Sequence, residues 1–185
     1  MRTNIFPAIK LTLVTLVFFG AVYPAIVWAI AQLTPDNGHG ELINAEGKRY
    51  YANVGQSFTQ DRFFNSRPSA VGYNAAGSGG SNKGPSNKEY LDVVQVRIDT
   101  FMVHNPAIAK KDIPVELVTA SGSGLDPDIS PKAALVQVKR IAAVRRIDEE
   151  KIRQIVVSNT EEPLLGVFGP AKVNVLSLNL ALEKL

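Results

Sequence analysis

The amino-acid sequence predicts one N-terminal transmembrane helix plus an α+β (mixed α/β) extracytoplasmic domain with a small sheet. Three observations lead to this fold class. Residues 11–33 form a run of 23 positions without a charged side chain. Residues 34–185 are instead polar, with 18 basic and 17 acidic side chains. Within that polar part, stretches with helical spacing of apolar residues are interspersed with short alternating stretches, which is typical of a mixed fold.

The uncharged segment is long enough to cross a lipid bilayer once. A helix of this length rises about 34 Å, against roughly 30 Å for the hydrocarbon core. Because the backbone must satisfy its own hydrogen bonds in lipid, the span is predicted to be helical. Pro24 removes one of those bonds and predicts a mild kink. The candidates for packing against another membrane helix are Gly20, Ala21, Pro24 and Ala25.

The charges that flank the segment predict its orientation. Residues 1–10 carry Arg2 and Lys10 and no acidic side chain, whereas the other flank opens with Asp36 and Glu41 before any Lys or Arg. The positive-inside rule therefore places the N-terminus in the cytoplasm. The polar domain would then lie in the periplasm or on the outer face of the cell.

A cleaved signal peptide is the alternative interpretation of the same segment. Residues 29–31 read Ala-Ile-Ala, which resembles a small-x-small cleavage site. The hydrophobic region of a signal peptide is usually about 7–15 residues, and this run is longer. The pattern therefore favours an uncleaved anchor.

The first elements of the polar domain are a short strand, an aromatic cluster and a long loop. Residues 48–54 (KRYYANV) are predicted to be a strand. Phe58, Phe63 and Phe64 are predicted to lie in the core, with packing on a membrane partner as the alternative. Residues 66–86 contain ten Gly or Ser among 21 positions and show no hydrophobic periodicity. A loop of that length is usually functional or disordered.

A helix and a strand are predicted next. Ser86 and Glu89 have the spacing of a capping box, and apolar residues at helical spacing follow as far as Phe101. Pro106 marks the end of that helix. Residues 113–120 (IPVELVTA) are a strand candidate because apolar and polar side chains partly alternate.

The C-terminal third is predicted to contain two helices and two closing strands. Ser130 is a good N-cap before a proline, and Asp148 is a good N-cap before two acidic residues. Residues 164–168 and 173–180 read as strands. The second of these has a broken alternation, so a helical end is the alternative.

Two nucleotide-binding motifs fail on spacing. In a P-loop the Lys follows the second Gly, whereas Lys83 precedes Gly84. Gly122 and Gly124 match two positions of a dinucleotide fingerprint, but Pro127 occupies the position of the third glycine. Backbone turns that need a positive φ explain these glycines better.

Catalytic and metal-binding patterns are equally weak. The sequence has no cysteine and only two histidines, His39 and His104, and neither lies beside a nucleophile-elbow pattern. Asp126 and Asp128 are explained better as caps than as metal ligands. The basic pairs at 139–140 and 145–146 are predicted to be the solvated face of a helix. The net charge of +3 and the lack of a long basic run do not support nucleic-acid binding.

A set of short motifs occurs in order along the chain: Phe64-x-Ser66-Arg67-Pro68-Ser69-Ala70, Tyr73-Asn74, Ser78-Gly79-Gly80-Ser81-Asn82-x-Gly84-Pro85, Val118-Thr119-Ala120-Ser121-Gly122-Ser123-Gly124-Leu125-Asp126-Pro127, Ile129-Ser130-Pro131, Gln137-x-x-Arg140, Leu165-Gly166 and Val173-Asn174-Val175-Leu176-x-Leu178-Asn179. Taken together, these motifs resemble the C subunits of the Kdp potassium-transporting P-type ATPases of bacteria. The resemblance covers nearly the whole chain and departs from the usual pattern at Asp128, where the family usually has His.

The resemblance implies a non-catalytic subunit of a high-affinity, ATP-driven potassium uptake complex in the bacterial inner membrane. Its implied partners are a channel-like A subunit, a P-type pump B subunit, a small F subunit and the lipid bilayer, with no nucleic acid. ATP, magnesium and potassium would act at the partner subunits, and no cofactor is expected on this chain. The implied roles are to anchor and stabilise the assembly and to promote ATP binding by the pump subunit. A membrane-anchored periplasmic enzyme or binding module is the alternative.

The long loop and the segment 121–131 are the candidate contact regions of such a subunit. Their polar side chains could hydrogen-bond to partner loops around an ion entrance; the alternative is that both loops only shape the domain. The candidate contact residues are Arg67, Tyr73, Asn74, Asn82, Lys83, Ser121, Ser123, Asp126, Gln137 and Arg140.

Overall fold

A computed structural model describes residues 4–34, 36–45 and 47–185 of the chain. Two compact units are present, Met1–Leu42 and Ile43–Leu185. Arg2, one of the two basic residues that predict the membrane orientation, lies outside the described residues.

The first unit is dominated by one apolar helix. It runs over Ile5–Ala31, 27 residues with a mean hydropathy of 2.2 and no buried position in its apolar window. Within it, α1 (Ile5–Val17) and α2 (Tyr23–Ala31) are joined by a π-helical turn over Phe18–Val22. A proline cannot donate to the carbonyl four residues earlier, so a wider turn just before Pro24 accommodates the missing bond. Its length and uniform apolarity fit a membrane anchor.

The second unit is a mixed α/β domain with two small sheets, which confirms the predicted fold class. One sheet has two strands, in the order β1-β2. The other is antiparallel, in the order β3-β5-β4, with Ile129 and Thr160 both paired to Val173 of the central strand. The elements are β1 (Leu42–Ala45), β2 (Lys48–Tyr51), α3 (Lys88–His104), β3 (Asp128–Ile129), α4 (Pro131–Leu135), α5 (Val138–Arg145), α6 (Glu149–Ser158), β4 (Thr160–Glu161), β5 (Lys172–Asn174) and α7 (Val175–Glu183).

Side-chain caps decide where the helices begin. Ser130 Oγ accepts from the backbone N–H of Ala133 at 3.1 Å, and Asp148 Oδ1 accepts from that of Glu150 at 2.9 Å, so both predicted caps are confirmed. The predicted cap of α3 is wrong by one residue. Asn87, not Ser86, accepts from the N–H of Tyr90, at 3.0 Å.

Three predicted strands need correction. The segment 113–120 forms a 3₁₀ turn over Val115–Leu117, because the chain coils after Pro114 and the N–H of Thr119 bonds back to the carbonyl of Val115. The segment 164–168 is a tight turn closed by one bridge, since two successive residues at its centre have a positive φ. In 173–180, the strand ends at Asn174, whose side chain caps α7. The helical alternative is therefore the correct one there. The predicted strand 48–54 is confirmed over Lys48–Tyr51.

The core lies between the three-stranded sheet and helices α4 to α7. Phe64 is fully buried within it and Phe58 packs against it, which confirms the core interpretation for both. The remaining core side chains are Leu117, Ile129, Ala133, Ala134, Val138, Ile141, Ala142, Ile152, Val156, Val173, Val175, Leu178 and Leu182. The segment around Phe64 thus fixes the start of the long loop to the centre of the domain.

Candidate functional site

The two Gly- and Ser-rich segments pack directly on each other. The N–H of Ser121 donates to the carbonyl of Pro68 at 3.1 Å, and the N–H of Gly79 donates to that of Ser123 at 2.8 Å. Ser69 Oγ adds a 2.7 Å bond to the carbonyl of Gly124. We call the face formed by residues 66–86 and 121–131 the two-loop surface. Main-chain hydrogen bonds between the loops define its shape.

Glycine is needed where the two loops approach most closely. Gly124 has φ +69°, and a Cβ there would lie 2.5 Å from a Val71 methyl group and 2.7 Å from the Gly79 carbonyl oxygen. A Cβ on Gly80 would lie 2.9 Å from the carbonyl oxygen of Gly122. These glycines therefore serve loop packing, in agreement with the interpretation of the motifs as backbone turns.

Arg67 and Asp126 form an ion pair that ties the loops together. Arg67 Nη1 lies 2.7 Å from Asp126 Oδ2, with about a quarter of each side chain exposed. The other carboxylate oxygen of Asp126 accepts from the N–H of Asp128 at 3.1 Å. The hydroxyl of Tyr73 donates to the carbonyl of Arg67, and burial raises the pKa of that hydroxyl. These candidate residues brace the surface from within.

Other candidates on the same surface are open to solvent. Asn74, Asn82, Lys83 and Ser123 are exposed, and Asn82 has φ +53°. Lys83 Nζ makes an exposed pair with Glu89 at 3.1 Å. Ser121 is buried instead, and its Oγ accepts from the N–H of Gly124 at 3.0 Å. The surface thus presents amide, hydroxyl and ammonium groups on a rigid backbone.

The structure places Gln137 and Arg140 inside the domain. Arg140 Nη2 donates to Gln137 Oε1 at 2.8 Å, to the carbonyl of Phe63 at 3.1 Å and to Asn65 Oδ1 at 3.0 Å. Its Nε donates to Asn105 Oδ1 at 3.0 Å. Burial lowers the pKa of Arg140, while nearby Asp61 opposes this change. Because only 7% of Arg140 is exposed, the prediction that it belongs to a solvated helix face is wrong.

The same prediction also fails for Arg145. This side chain is 15% exposed and pairs with the carboxylate of Glu183. Its Nε donates to the carbonyl of Arg62 at 2.7 Å. Helical charge patterns alone do not reveal acceptors supplied by distant backbone.

Sequence reasoning missed two buried asparagines that hold the segment before the long loop, Asn179 directly and Asn105 through Arg140. Asn179 Oδ1 accepts from the N–H of Phe64 at 2.8 Å, and Asn179 Nδ2 donates to the carbonyl of Phe64 at 3.0 Å. Asn105 is 4% exposed and accepts from Arg140. A lone amide in the apolar stretch of α7 was the available signal for Asn179, because a buried amide needs partners.

Asp128, where the resemblance departs from the usual His, forms an ion pair. Lys172 Nζ lies 2.9 Å from Asp128 Oδ2 and 3.3 Å from Glu161 Oε2. The hydrogen bond to Asp128 is the main reason that the pKa of Lys172 is raised. The pair links β3, at the end of the two-loop surface, to the central strand β5. A carboxylate can serve this link only as an anionic acceptor, which differs from the chemistry of an imidazole.

A cleft of about 350 Å³ runs beside the two-loop surface. Arg67 and Asp126 line it from the loops, Pro170 lines it from the connection between β4 and β5, and Lys172 lines it from the start of β5. Within the described ranges, no group of three or more His, Cys, Asp or Glu side chains could hold a metal ion. His104 Nδ1 lies 2.8 Å from Asp61 Oδ1. The expectation that this chain binds no cofactor directly stays a prediction.

One apolar helix long enough to span a bilayer, followed by a mixed α/β domain with a braced polar surface, fits the class of membrane-anchored subunits with a single span. The family model described as "KdpC: K+-transporting ATPase, c chain" matches residues 5–184. The chain therefore belongs to the KdpC family, the c chains of potassium-transporting ATPases, which confirms the resemblance of its motifs.

Relatives named "Potassium-transporting ATPase KdpC subunit" match over nearly their whole length. The protein of Bacteroides fragilis is 53% identical over 182 residues, covering 96% of this chain and 95% of the relative. That of Flavobacterium johnsoniae is 53% identical over 183 residues, covering 98% of each. That of Caldanaerobacter subterraneus is 45% identical over 184 residues, covering 98% of this chain and 95% of the relative.

Proposed function

We propose that this KdpC-family subunit is non-catalytic and that it anchors and stabilises the potassium-transporting complex in the bacterial inner membrane. Its partners would be the channel-like A subunit, the P-type pump B subunit and the small F subunit. ATP, magnesium and potassium would act at those partners. The observation that carries the proposal is the two-loop surface, which is polar, ordered and held by internal bonds, and so is suited to protein contact at little entropic cost.

The contact chemistry would come from the exposed side chains of that surface. Asn74, Asn82 and Ser123 can donate to and accept from partner backbone, and Lys83 can pair with a partner carboxylate. Arg67, Tyr73 and Asp126 would act mainly by fixing the loop conformation. With residues 1–10 in the cytoplasm and the domain outside, this surface would lie over the ion entrance of the channel-like subunit.

The membrane helix would supply the second contact. Gly20, Ala21 and Ala25 are small, and close approach of two helices in lipid requires small residues. The π turn before Pro24 widens the helix at the same level. Replacing Gly20 by Leu should weaken association, whereas Val27→Leu, on an already bulky position, should not.

Any effect on ATP binding would have to be indirect in this orientation. A domain on the outer side does not contact a cytoplasmic nucleotide, so the subunit would favour one of two states of the pump. The KM of the ATPase for ATP, measured with and without this chain, tests that role. An unchanged KM would remove it and leave the anchoring role standing.

Co-purification is the decisive experiment for the proposed function. A tag on the pump subunit, in membranes from potassium-starved cells, should recover this chain together with the channel-like subunit. Lys83→Ala and Arg67→Ala should lower the recovery, while Lys139→Ala, an exposed lysine outside the two-loop surface, should not. A wild-type chain that purifies alone would favour the alternative of a membrane-anchored periplasmic enzyme or binding module.

A single introduced cysteine tests the topology. The chain has no cysteine of its own, so Ser158→Cys, at an exposed position of α6 outside the two-loop surface, gives one labelling site. A membrane-impermeant maleimide should label it in intact, outer-membrane-permeabilised cells. Labelling only after lysis would contradict the proposed orientation.

A further inference from the structure

The connection between β4 and β5 exposes four large apolar side chains together. The exposed fractions are 70% for Leu164, 82% for Leu165, 73% for Val167 and 63% for Phe168. Single exposed apolar residues are common on protein surfaces, but a contiguous group of this kind marks an interaction site. We call residues 163–170 the apolar tip.

The apolar tip is held in one conformation by its own backbone. The N–H of Leu164 donates to the carbonyl of Phe168 at 3.0 Å, and the reciprocal bond has the same length. At the base, Glu161 pairs in register with Lys172, and their side chains lie 3.3 Å apart. The four side chains are therefore presented by a rigid hairpin, which lowers the entropy cost of docking.

Leu165 occupies a backbone conformation that disfavours leucine. Its φ is +55°, in the left-handed region where Gly, Asn and Asp are preferred. The same residue is the most exposed of the four. Local stability would favour Asn at this position, and solubility would favour any polar residue. A leucine that satisfies neither demand points to a contact made outside the domain.

The apolar tip adjoins the surface already proposed for assembly. Pro170 at its end lines the same cleft as Arg67 and Asp126 of the two-loop surface. The tip therefore extends that polar surface with an apolar anchor. A buried apolar anchor beside polar contacts is the usual arrangement of a protein interface.

The charges near the tip distinguish a protein partner from lipid. At its base, Lys172 pairs with Glu161 and Asp128, and Glu162 follows, so one basic side chain against three acidic ones leaves a net negative charge. Residues 161–170 themselves contain no Lys, Arg, Trp or Tyr. Membrane-inserting segments carry basic or interfacial aromatic residues, and acidic groups are repelled by an anionic bilayer. An apolar pocket with a basic rim would complement both the exposed apolar side chains of the tip and the acidic groups at its base.

We propose that the apolar tip inserts into an apolar, basic-rimmed pocket on another subunit of the same potassium-transporting complex. This inference rests on the proposed function, because it requires that the chain assembles with partners. Leu165 and Phe168 are the expected anchors. Glu162 at the base would face the basic rim.

Leu165→Asn separates assembly from folding. Asn tolerates the left-handed conformation, so the thermal unfolding temperature of the chain should stay the same or rise. Apparent affinity for the remaining subunits, measured by retention on tagged pump subunit at increasing dilution, should fall about 30-fold, as for loss of an interface anchor. Phe168→Ser should act in the same direction. Val157→Asn, which changes a side chain that is 70% exposed in α6, is the matched control and should retain wild-type affinity.

Photo-crosslinking identifies what covers the tip. A photoreactive amino acid at position 165 of the assembled complex should form an adduct with a partner subunit, and the same group at position 157 should not. Adducts at 165 only with lipid, or only with a second copy of this chain, would overturn the inference. If Leu165→Asn is retained as well as wild type, the inference fails while the proposed function stands. If the wild-type chain is not retained at all, the proposed function itself fails.

Discussion

The side chain of Asn179 binds both backbone polar groups of Phe64, a residue 115 positions earlier in the chain. The two bonds reproduce what a neighbouring strand would supply, so helix α7 satisfies a buried segment that belongs to no sheet. This link fixes the point from which the long loop departs.

Asn179→Ala should strongly destabilise the domain. The substitution leaves the N–H and C=O of Phe64 buried without partners, at about 1–3 kcal/mol each. We expect a total loss of about 3 kcal/mol, seen as a fall of roughly 6–12 °C in the Tm of the full chain in detergent. Far-ultraviolet circular dichroism measures it. Ser177→Ala, on the same helix, should change stability by less than about 0.5 kcal/mol. Equal Tm values for the two variants would contradict the role of the amide.

Arg140→Lys should also destabilise, although the charge is retained. An ammonium group cannot reach the acceptors that the planar guanidinium serves together, among them Asn105 and Gln137. Each buried acceptor left without its donor costs about 1–3 kcal/mol. Lys139→Ala, at the exposed neighbouring position, is the control for any general effect on α5. Chemical unfolding of both variants, compared with wild type, measures the difference, and a tolerated Arg140→Lys would reject the network.

Gly124→Ala should open the two-loop surface, whereas Gly122→Ala should leave it closed. The first adds a methyl group against Val71 and the Gly79 carbonyl at a positive φ, and the second adds one into open space. We expect a loss of at least about 1–2 kcal/mol from the backbone conformation alone at position 124. Limited proteolysis of residues 66–86 should accelerate in Gly124→Ala only. Equal cleavage rates would show that the loops do not depend on this approach.

The Lys172–Asp128 pair should make stability depend on alkaline pH. Since the pKa of Lys172 is raised in the folded protein, its contribution is complete below the unfolded value, about 10.5, and is lost as pH rises through the folded value. Lys172 is 45% exposed, so solvent screening limits the effect to about 0.5–1 kcal/mol. The wild-type minus Lys172→Met difference in unfolding free energy should be constant from pH 7 to 9 and shrink above about pH 10.5.

The matched control for that titration is Tyr73→Phe. Burial raises the pKa of Tyr73 as well, so this hydroxyl titrates in the same alkaline range. The Lys172→Met difference should show the same pH profile in the Tyr73→Phe background. A profile that disappears in that background would assign the pH dependence to the tyrosine.

The local signals in the sequence were sufficient for the apolar helix, for the caps of α4 and α6 and for the burial of Phe64, although the cap of α3 was predicted one residue too early. The charge-free run predicts the membrane helix, Ser130 and Asp148 cap their helices as expected, and Phe64 is buried. These features depend on neighbouring residues, which a sequence displays directly. The segment 113–120 was mispredicted as a strand because a weak alternation does not override the coiling that follows a proline.

The interior of the candidate site could not be predicted in the same way. Arg140 reads as a surface residue from its helix, because all its acceptors except Gln137 come from residues 61–65 and from Asn105, far away in sequence. The motifs of the two loops predict a shared function, but their contact follows only from the fold. Leu165 shows the opposite case. Its positive φ disfavours leucine, and yet the sequence has leucine at this position.

The two-loop surface derives its shape from main-chain hydrogen bonds and glycines, with only a few side-chain braces. Its outward side chains, such as those of Asn74, Asn82 and Ser123, can therefore change without altering the backbone beneath them. Lineages could then adjust recognition of a diverging neighbour by single exchanges at these positions, with the folding of the domain unaffected. Compensating substitutions between subunits should concentrate there, while the braces and glycines stay fixed.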